Sequence, residues 1–296
     1  MKRPLLVSTG ALVGRVNGYD LAGALEVIRN VFAQGLCAGL EWMMVTAFYD
    51  RQPEVIREMK NAGVPIPVIH FEKDIGTLLS DAGAASDDGS PEEGERLRSE
   101  ALRLFRLNCA FARELAVPRA VLHLWGGYTS DLHIRHNIEA LPALSEIARE
   151  NGLRLLIENV PSSLGDPLSN WKRLLPFLGD GGLSFDTRFG QLHDQIGEIL
   201  TDPEAAPRIE HIHVSDFGGG TREFSALRPI LHPGEGRVDF PAFARLLDRM
   251  GYEGAVTLES PVMSPEGRDV DKLKNTLRTL GELFCGGKNT SGERTI

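Results

Sequence analysis

Short apolar, β-rich runs recur along this chain eight times, at intervals of roughly 30 to 40 residues, with amphipathic stretches of helical period between them. They fall near 4–9 (PLLVST), 40–46 (LEWMMVT), 66–71 (IPVIHF), 119–125 (RAVLHLW), 153–160 (LRLLIENV), 183–187 (LSFDT), 210–216 (EHIHVSD) and 255–260 (AVTLES). The helical pattern is clear over 95–116, where Leu97, Ala101, Leu104, Phe105, Ala112 and Leu115 share a face. It returns over 138–150 with Ile138, Leu141, Leu144, Ile147 and Ala148, and Asn151-Gly152 is its stop signal. Asp239 before Phe240-Pro241 reads as the N-cap region of another helix. Strand and helix in strict alternation predict a parallel sheet with helical crossovers, and a count of eight favours a closed α/β barrel, (β/α)₈, over an open doubly wound sheet. No GxGxxG opens a helix after the first strand; Gly181-Gly182 and Gly218-Gly219-Gly220 read as loop glycines.

A length of 296 residues fits two average domains or one barrel with extensions. No linker or shift in composition divides the chain, so one barrel domain is expected over 1–285, followed by a polar tail over 286–296 that should fray. Two stretches, 72–94 and 217–238, read as long loops after strands, at the catalytic end of a barrel. With 42% hydrophobic residues a sizeable core is available. The net charge of −9, from 41 acidic and 32 basic residues, argues against a nucleic-acid partner, which needs clustered positive charge. Cys37, Cys109 and Cys285 are widely separated and form no CxxC pair, which fits a reducing compartment. The weak apolar run after Lys2 and Arg3 is broken by Ser8, Thr9 and Gly10, and no stretch approaches the roughly 18 apolar residues of a membrane span. The expectation is a cytoplasmic protein without a membrane partner; a homo-oligomer and a monomer are both left open.

Barrel strands are covered on both sides and should be almost wholly apolar. Here His70, His123, Glu158, Asp186, His211, His213 and Glu259 fall at the C-terminal ends of the runs, where barrel enzymes carry their active sites, and Glu41 falls earlier in the second run. A bare buried carboxylate is costly unless it is paired, hydrogen-bonded or bound to a metal. Strand alternation puts Leu156 and Glu158 on one face, and His211, His213 and Ser215 on one face. If Glu158 and His213 point inward, Asp186 and Glu259 can join them from the neighbouring strands. Three carboxylates and one imidazole then form a candidate metal site, suited to Mn²⁺ or Mg²⁺, with Co²⁺ or Zn²⁺ as alternatives. The bland alternative for the glutamates is pairing with Arg154 or Arg188, and for a lone histidine it is a hydrogen bond in the core. Glu41 is compatible with an inward polar group or with a helix-facing ion pair.

The pieces LLIENVP with Glu158, LSFDTRFG with Asp186, HIHVSDF with His213, HPGEGRVDF and VTLES with Glu259 occur in order at barrel spacing. With VIHF (His70) and VLHLWGG (His123), they resemble the xylose-isomerase-like TIM-barrel superfamily, which includes the sugar phosphate isomerase/epimerase family, over about residues 4–284. The resemblance implies a single TIM barrel and a divalent-metal-dependent sugar or sugar-phosphate isomerase or epimerase. Glu158, Asp186, His213 and Glu259 would be its metal ligands, with Glu158 and Glu259 also the acid–base pair that moves a proton through an enediolate. Strands 5 and 8 lie three positions apart around the ring, so two carboxylates can flank a carbohydrate substrate. His70, His123, Trp125, Arg188, His211 and Arg222 are candidate substrate contacts. Two residues depart from the superfamily pattern: Phe189 stands where a histidine usually follows the strand-6 aspartate by three residues, and Gly219 where ketohexose epimerases have an arginine. Three alternatives are an inosose-type dehydratase, an endonuclease IV-like repair enzyme and a non-catalytic sugar-binding barrel. The second of these is disfavoured by the acidic charge and by the lack of an Asp-x-His pair in 217–238.

Overall fold

The computed structural model describes residues 3–220 and 224–286. Eight parallel strands close into a barrel in sequence order: β1 (Leu5–Ser8), β2 (Gly39–Met43), β3 (Val68–His70), β4 (Arg119–Leu122), β5 (Arg154–Glu158), β6 (Gly182–Asp186), β7 (Ile209–Val214) and β8 (Ala255–Leu258). The ring closes where β1 pairs with β8, Leu6 opposite Thr257. The strands are shorter than the apolar runs suggest. The second run, read to residue 46, leaves the sheet at Met43, and the fourth, read to residue 125, leaves at Leu122, so His123 sits just beyond a strand end.

The outer ring comprises α1 (Leu21–Ala33), α2 (Gln52–Asn61), α3 (Asp74–Asp87), α4 (Pro91–Glu114), α5 (Ile134–Glu150), α6 (Pro167–Leu174), the short α7 (Thr187–Leu192) and α8 (Ile196–Thr201), α9 (Phe240–Arg249) and α10 (Val270–Phe284). Asp20, Asp166, Asp239 and Asp269 each cap a helix by accepting a backbone N–H from the first turn. The expected loop over 72–94 is instead α3 and the start of α4. Its apolar count is low because glycine, alanine and serine do the packing: Gly76, Ser80, Ala82 and Gly83 are buried with Ile75 and Leu79. Small residues allow close approach, and a methyl group added at Gly83 would lie 2.9 Å from the His133 Cβ. Among the described residues no helix is long and apolar enough to cross a membrane.

The inside of the barrel changes character along its axis. Leu6, Val68, Val121 and Leu156 form a separate apolar cluster, with Ala255 packed against it. The alternate residues Leu5, Val7, Ile69, Ala120, Leu122, Leu155 and Ile157 join the main core between strands and helices. Towards the C-terminal ends, the inward positions are Glu41, His70, Glu158, Asp186, His211 and His213, all buried.

Candidate active site at the barrel mouth

Strand register brings the site together. Asp186 pairs with His213 across β6 and β7, and His213 pairs with Thr257 across β7 and β8. The Glu259 N–H donates to Val214 O at 3.1 Å, which carries the ladder one residue past β8 and places Glu259 beside His213. His213 Nδ1 lies 2.6 Å from Glu158 Oε1 and 3.7 Å from Glu259 Oε1. Glu158, Asp186 and His213 present one ligand atom each within 4.8 Å of one another, and His70, His213 and Glu259 do the same. The pairing with Arg154 or Arg188 considered for the glutamates is not what occurs at Glu158: it is met by imidazoles, and Arg154 pairs with Glu210.

Asp186 ends β6 and starts α7. Its Oδ1 accepts the Phe189 N–H at 2.8 Å, and its Oδ2 is buried with no hydrogen-bond partner. Asn159 clamps the Asp186 backbone, accepting its N–H at 2.6 Å and donating to its carbonyl at 3.1 Å. Nothing in the sequence marked Asn159, since its work is done across strands. Glu259 Oε1 is likewise buried and has no hydrogen-bond partner. Two buried carboxylate oxygens without donors, beside an imidazole, are groups that a bound cation would satisfy. Hard oxygen donors with one nitrogen fit a divalent ion.

The electrostatics follow from crowding. Burial, reinforced by the Glu158 and Asp186 charges against the pull of His213, pushes the Glu259 carboxyl up to about 7. Burial also raises Asp186. At Glu158 burial works in the same direction, but the His213 and His123 imidazoles outweigh it and hold the carboxyl well below its usual range. His213 is raised well above an ordinary histidine, burial being overcome by Glu259, Glu41 and Glu158.

His70 and His123 crowd the far oxygen of Glu158. His123 Nε2 is 2.5 Å and His70 Nε2 3.3 Å from Oε2, and the three residues form a further cluster of ligand type. His70 Nδ1 lies 2.8 Å from Phe71 O, an acceptor only, so that nitrogen carries a proton. His123 opens onto a cavity of about 310 Å³ whose walls include Thr77, Val160, Pro161, Phe189 and Leu227. Phe189 therefore contributes a ring to this wall, not a nitrogen. Arg188 stacks on Phe189, its guanidinium carbon 4.8 Å from the ring centroid, and donates to Leu227 O at 3.1 Å.

Other expected contacts are placed elsewhere. Trp125 is fully buried and its indole N–H donates to Pro161 O at 3.3 Å, so it packs beneath the loop and does not line the cavity. His211 lies two residues deeper in β7, fully buried, with Nε2 2.6 Å from Glu41 Oε2; it is enclosed in the barrel and does not face the mouth. Arg222 lies outside the described residues. Glu41 is an inward group. The HPGEG turn wraps Asp216, whose carboxylate accepts the N–H groups of Phe217, Gly234, Gly236 and Val238 at 2.8–2.9 Å. His232, in that turn, is held between Thr276 and Pro261.

The family model described as a xylose isomerase-like TIM barrel matches residues 35–280. This chain belongs to the xylose isomerase-like TIM barrel family. Among solved structures, a xylose isomerase-like TIM barrel/4-hydroxyphenylpyruvate dioxygenase fusion protein matches with a TM-score of 0.72 and 17% identity, covering 96% of this chain. The chain spans 43% of that fusion protein's length. The 3-keto-D-glucoside 4-epimerase YcjR of E. coli matches with a TM-score of 0.65 and 16% identity over 94% of this chain and 99% of its own. The IOLI protein, solved with a zinc atom bound, matches with a TM-score of 0.67 and 14% identity over 95% of this chain and 96% of its own. At these identities the likeness is one of fold.

Proposed function

We propose that this barrel is a divalent-metal-dependent isomerase or epimerase of a sugar or sugar phosphate, working by proton transfer through an enediolate. The observation that carries the reading is a pair of buried carboxylate oxygens without hydrogen bonds, Asp186 Oδ2 and Glu259 Oε1, in two clusters that share His213, one with Glu158 and Asp186 and the other with His70 and Glu259. The epimerase and the zinc-bound protein that share the fold support it. Glu158, Asp186, His213 and Glu259 would hold the ion, which when bound would stabilise negative charge developing on adjacent substrate oxygens. Glu158 and Glu259 project from strands three positions apart. One would take the proton from the carbon beside the carbonyl and the other would return one. His70 and His123 keep Glu158 in place, and His123 meets the substrate at the cavity. Val160, Pro161, Phe189 and Leu227 would give the substrate an apolar wall there.

The test is wash-in of solvent deuterium beside the carbonyl of free and phosphorylated ketoses, with protein loaded with Mn²⁺, Mg²⁺, Co²⁺ or Zn²⁺. Glu158→Gln and Glu259→Gln should each slow exchange by about 10²–10⁴-fold while circular dichroism stays unchanged. Undiminished exchange in chelator-stripped protein would refute the metal requirement. A product lighter by one water would assign a dehydratase, cleavage of an abasic duplex a repair enzyme, and sugar binding without metal or turnover a binding protein.

A further inference from the structure

We propose that Glu41 is the positioning residue for His213: it turns His213 Nδ1 toward the carboxylate cluster and thereby sets the protein's affinity for a divalent ion. The proposal rests on the metal-dependent reading above. Glu41 lies in the middle of β2, fully buried, and reaches across the interior to β7, three strands away around the ring. Its Oε1 is 2.9 Å from His213 Nε2 and its Oε2 is 2.6 Å from His211 Nε2. Each oxygen has its own imidazole, so the carboxylate cannot rotate without losing one of them. Both ring nitrogens of His213 face carboxylates, which only accept; with a cation taking Nδ1, the one remaining ring proton is held at Nε2 by Glu41. That leaves Nδ1, 2.6 Å from Glu158 Oε1 and 3.7 Å from Glu259 Oε1, as the ring's ligand atom. His211 backs Glu41 from below and is itself 3.1 Å from Thr257 Oγ1. The apolar cluster of Leu6, Val68, Val121 and Leu156 shows that an inward residue of this barrel need not be polar. A carboxylate inside it is costly to bury, and partners that orient a metal-binding histidine give it a use.

The experiment titrates Mn²⁺ into chelator-stripped full-length protein, comparing wild type, Glu41→Gln, Glu41→Ala and Val68→Ala. Removal of such a partner should weaken binding by about 10–100-fold. Val68→Ala should lower the melting temperature and leave affinity within about twofold, a pattern that separates lost stability from lost positioning. If both Glu41 variants bind Mn²⁺ as tightly as wild type, the proposal is overturned and the metal reading stands. If wild type itself binds no Mn²⁺, both fall. Should the Glu41 variants fail to fold, nitrogen-15 NMR of histidine-labelled, Zn²⁺-loaded wild type decides. A proton on His213 Nε2 supports the proposal, and a proton on Nδ1 overturns it.

Discussion

Gly76, in the first turn of α3, ties helix packing to the site. A glycine inside a helix usually costs about 0.5–1 kcal/mol relative to alanine, so Gly76→Ala would ordinarily stabilise. Here the added methyl would lie 2.3 Å from the His123 carbonyl oxygen and 3.1 Å from the Trp125 carbonyl carbon. Both are backbone atoms, and an ordinary contact is 3.4–4 Å, so α3 and the loop carrying His123 must separate by about 1 Å. Overpacking of this kind costs about 1–3 kcal/mol, more than the helix gain. At about 2–4 °C per kcal/mol for a chain approaching this size, calorimetry should show the melting temperature falling by several degrees. The same separation shifts the loop that holds His123 against Glu158, and a misplacement of about 1 Å in a positioning residue can cost on the order of 10²-fold in rate. Gly281→Ala in α10 is the control, because nothing lies within 4 Å of its added methyl; it should raise the melting temperature slightly. If Gly76→Ala melts at or above wild type with exchange activity intact, the packing argument is wrong.

Further outcomes follow from the same structure. Asp216→Ala strips the acceptor from four backbone N–H groups, two of them in the HPGEG turn, at about 1–3 kcal/mol for each one left buried and unsatisfied; urea titration should show a loss of at least about 3 kcal/mol. Because the Glu259 carboxyl is pushed up to about 7, the metal-free protein carries a proton there that the unfolded chain would release near 4.5. That term favours folding below pH 4.5 and is lost as the pH rises from 4.5 to 7. Metal binding at pH 6.5 should therefore release about half a proton or more, readable as a buffer-dependent heat in calorimetry. Chelation should lower the melting temperature at pH 8, where Glu158, Asp186 and Glu259 crowd together as charges, and added Mn²⁺ should restore it.

Much of this was legible in one dimension. The eight runs set the barrel because parallel strands with helical crossovers leave few closures, and glutamates, an aspartate and histidines in otherwise apolar strands stood out for the cost of burying them. The helices around α3 were harder to see. Their packing uses glycine, alanine and serine, whose value lies in letting backbones approach and leaves little hydrophobic periodicity. Trp125 and His211 show the limit of reading strand ends: both sit within two residues of site positions, yet one is covered by the Pro161 loop and the other is enclosed beside Glu41. Strand length, which decides such cases, ends where cross-strand hydrogen bonds end.

By itself, the sequence determined the family, the closed barrel and the ionisable groups at its mouth, since these follow from periodicity and from residue type in local windows. Tertiary structure alone decided that Glu41 reaches across the interior to His213, that Asn159 clamps Asp186, and that two carboxylate oxygens are left without donors. Those relations join strands far apart in the chain, and they depend on the register and tilt with which the ring closes, which no local window contains.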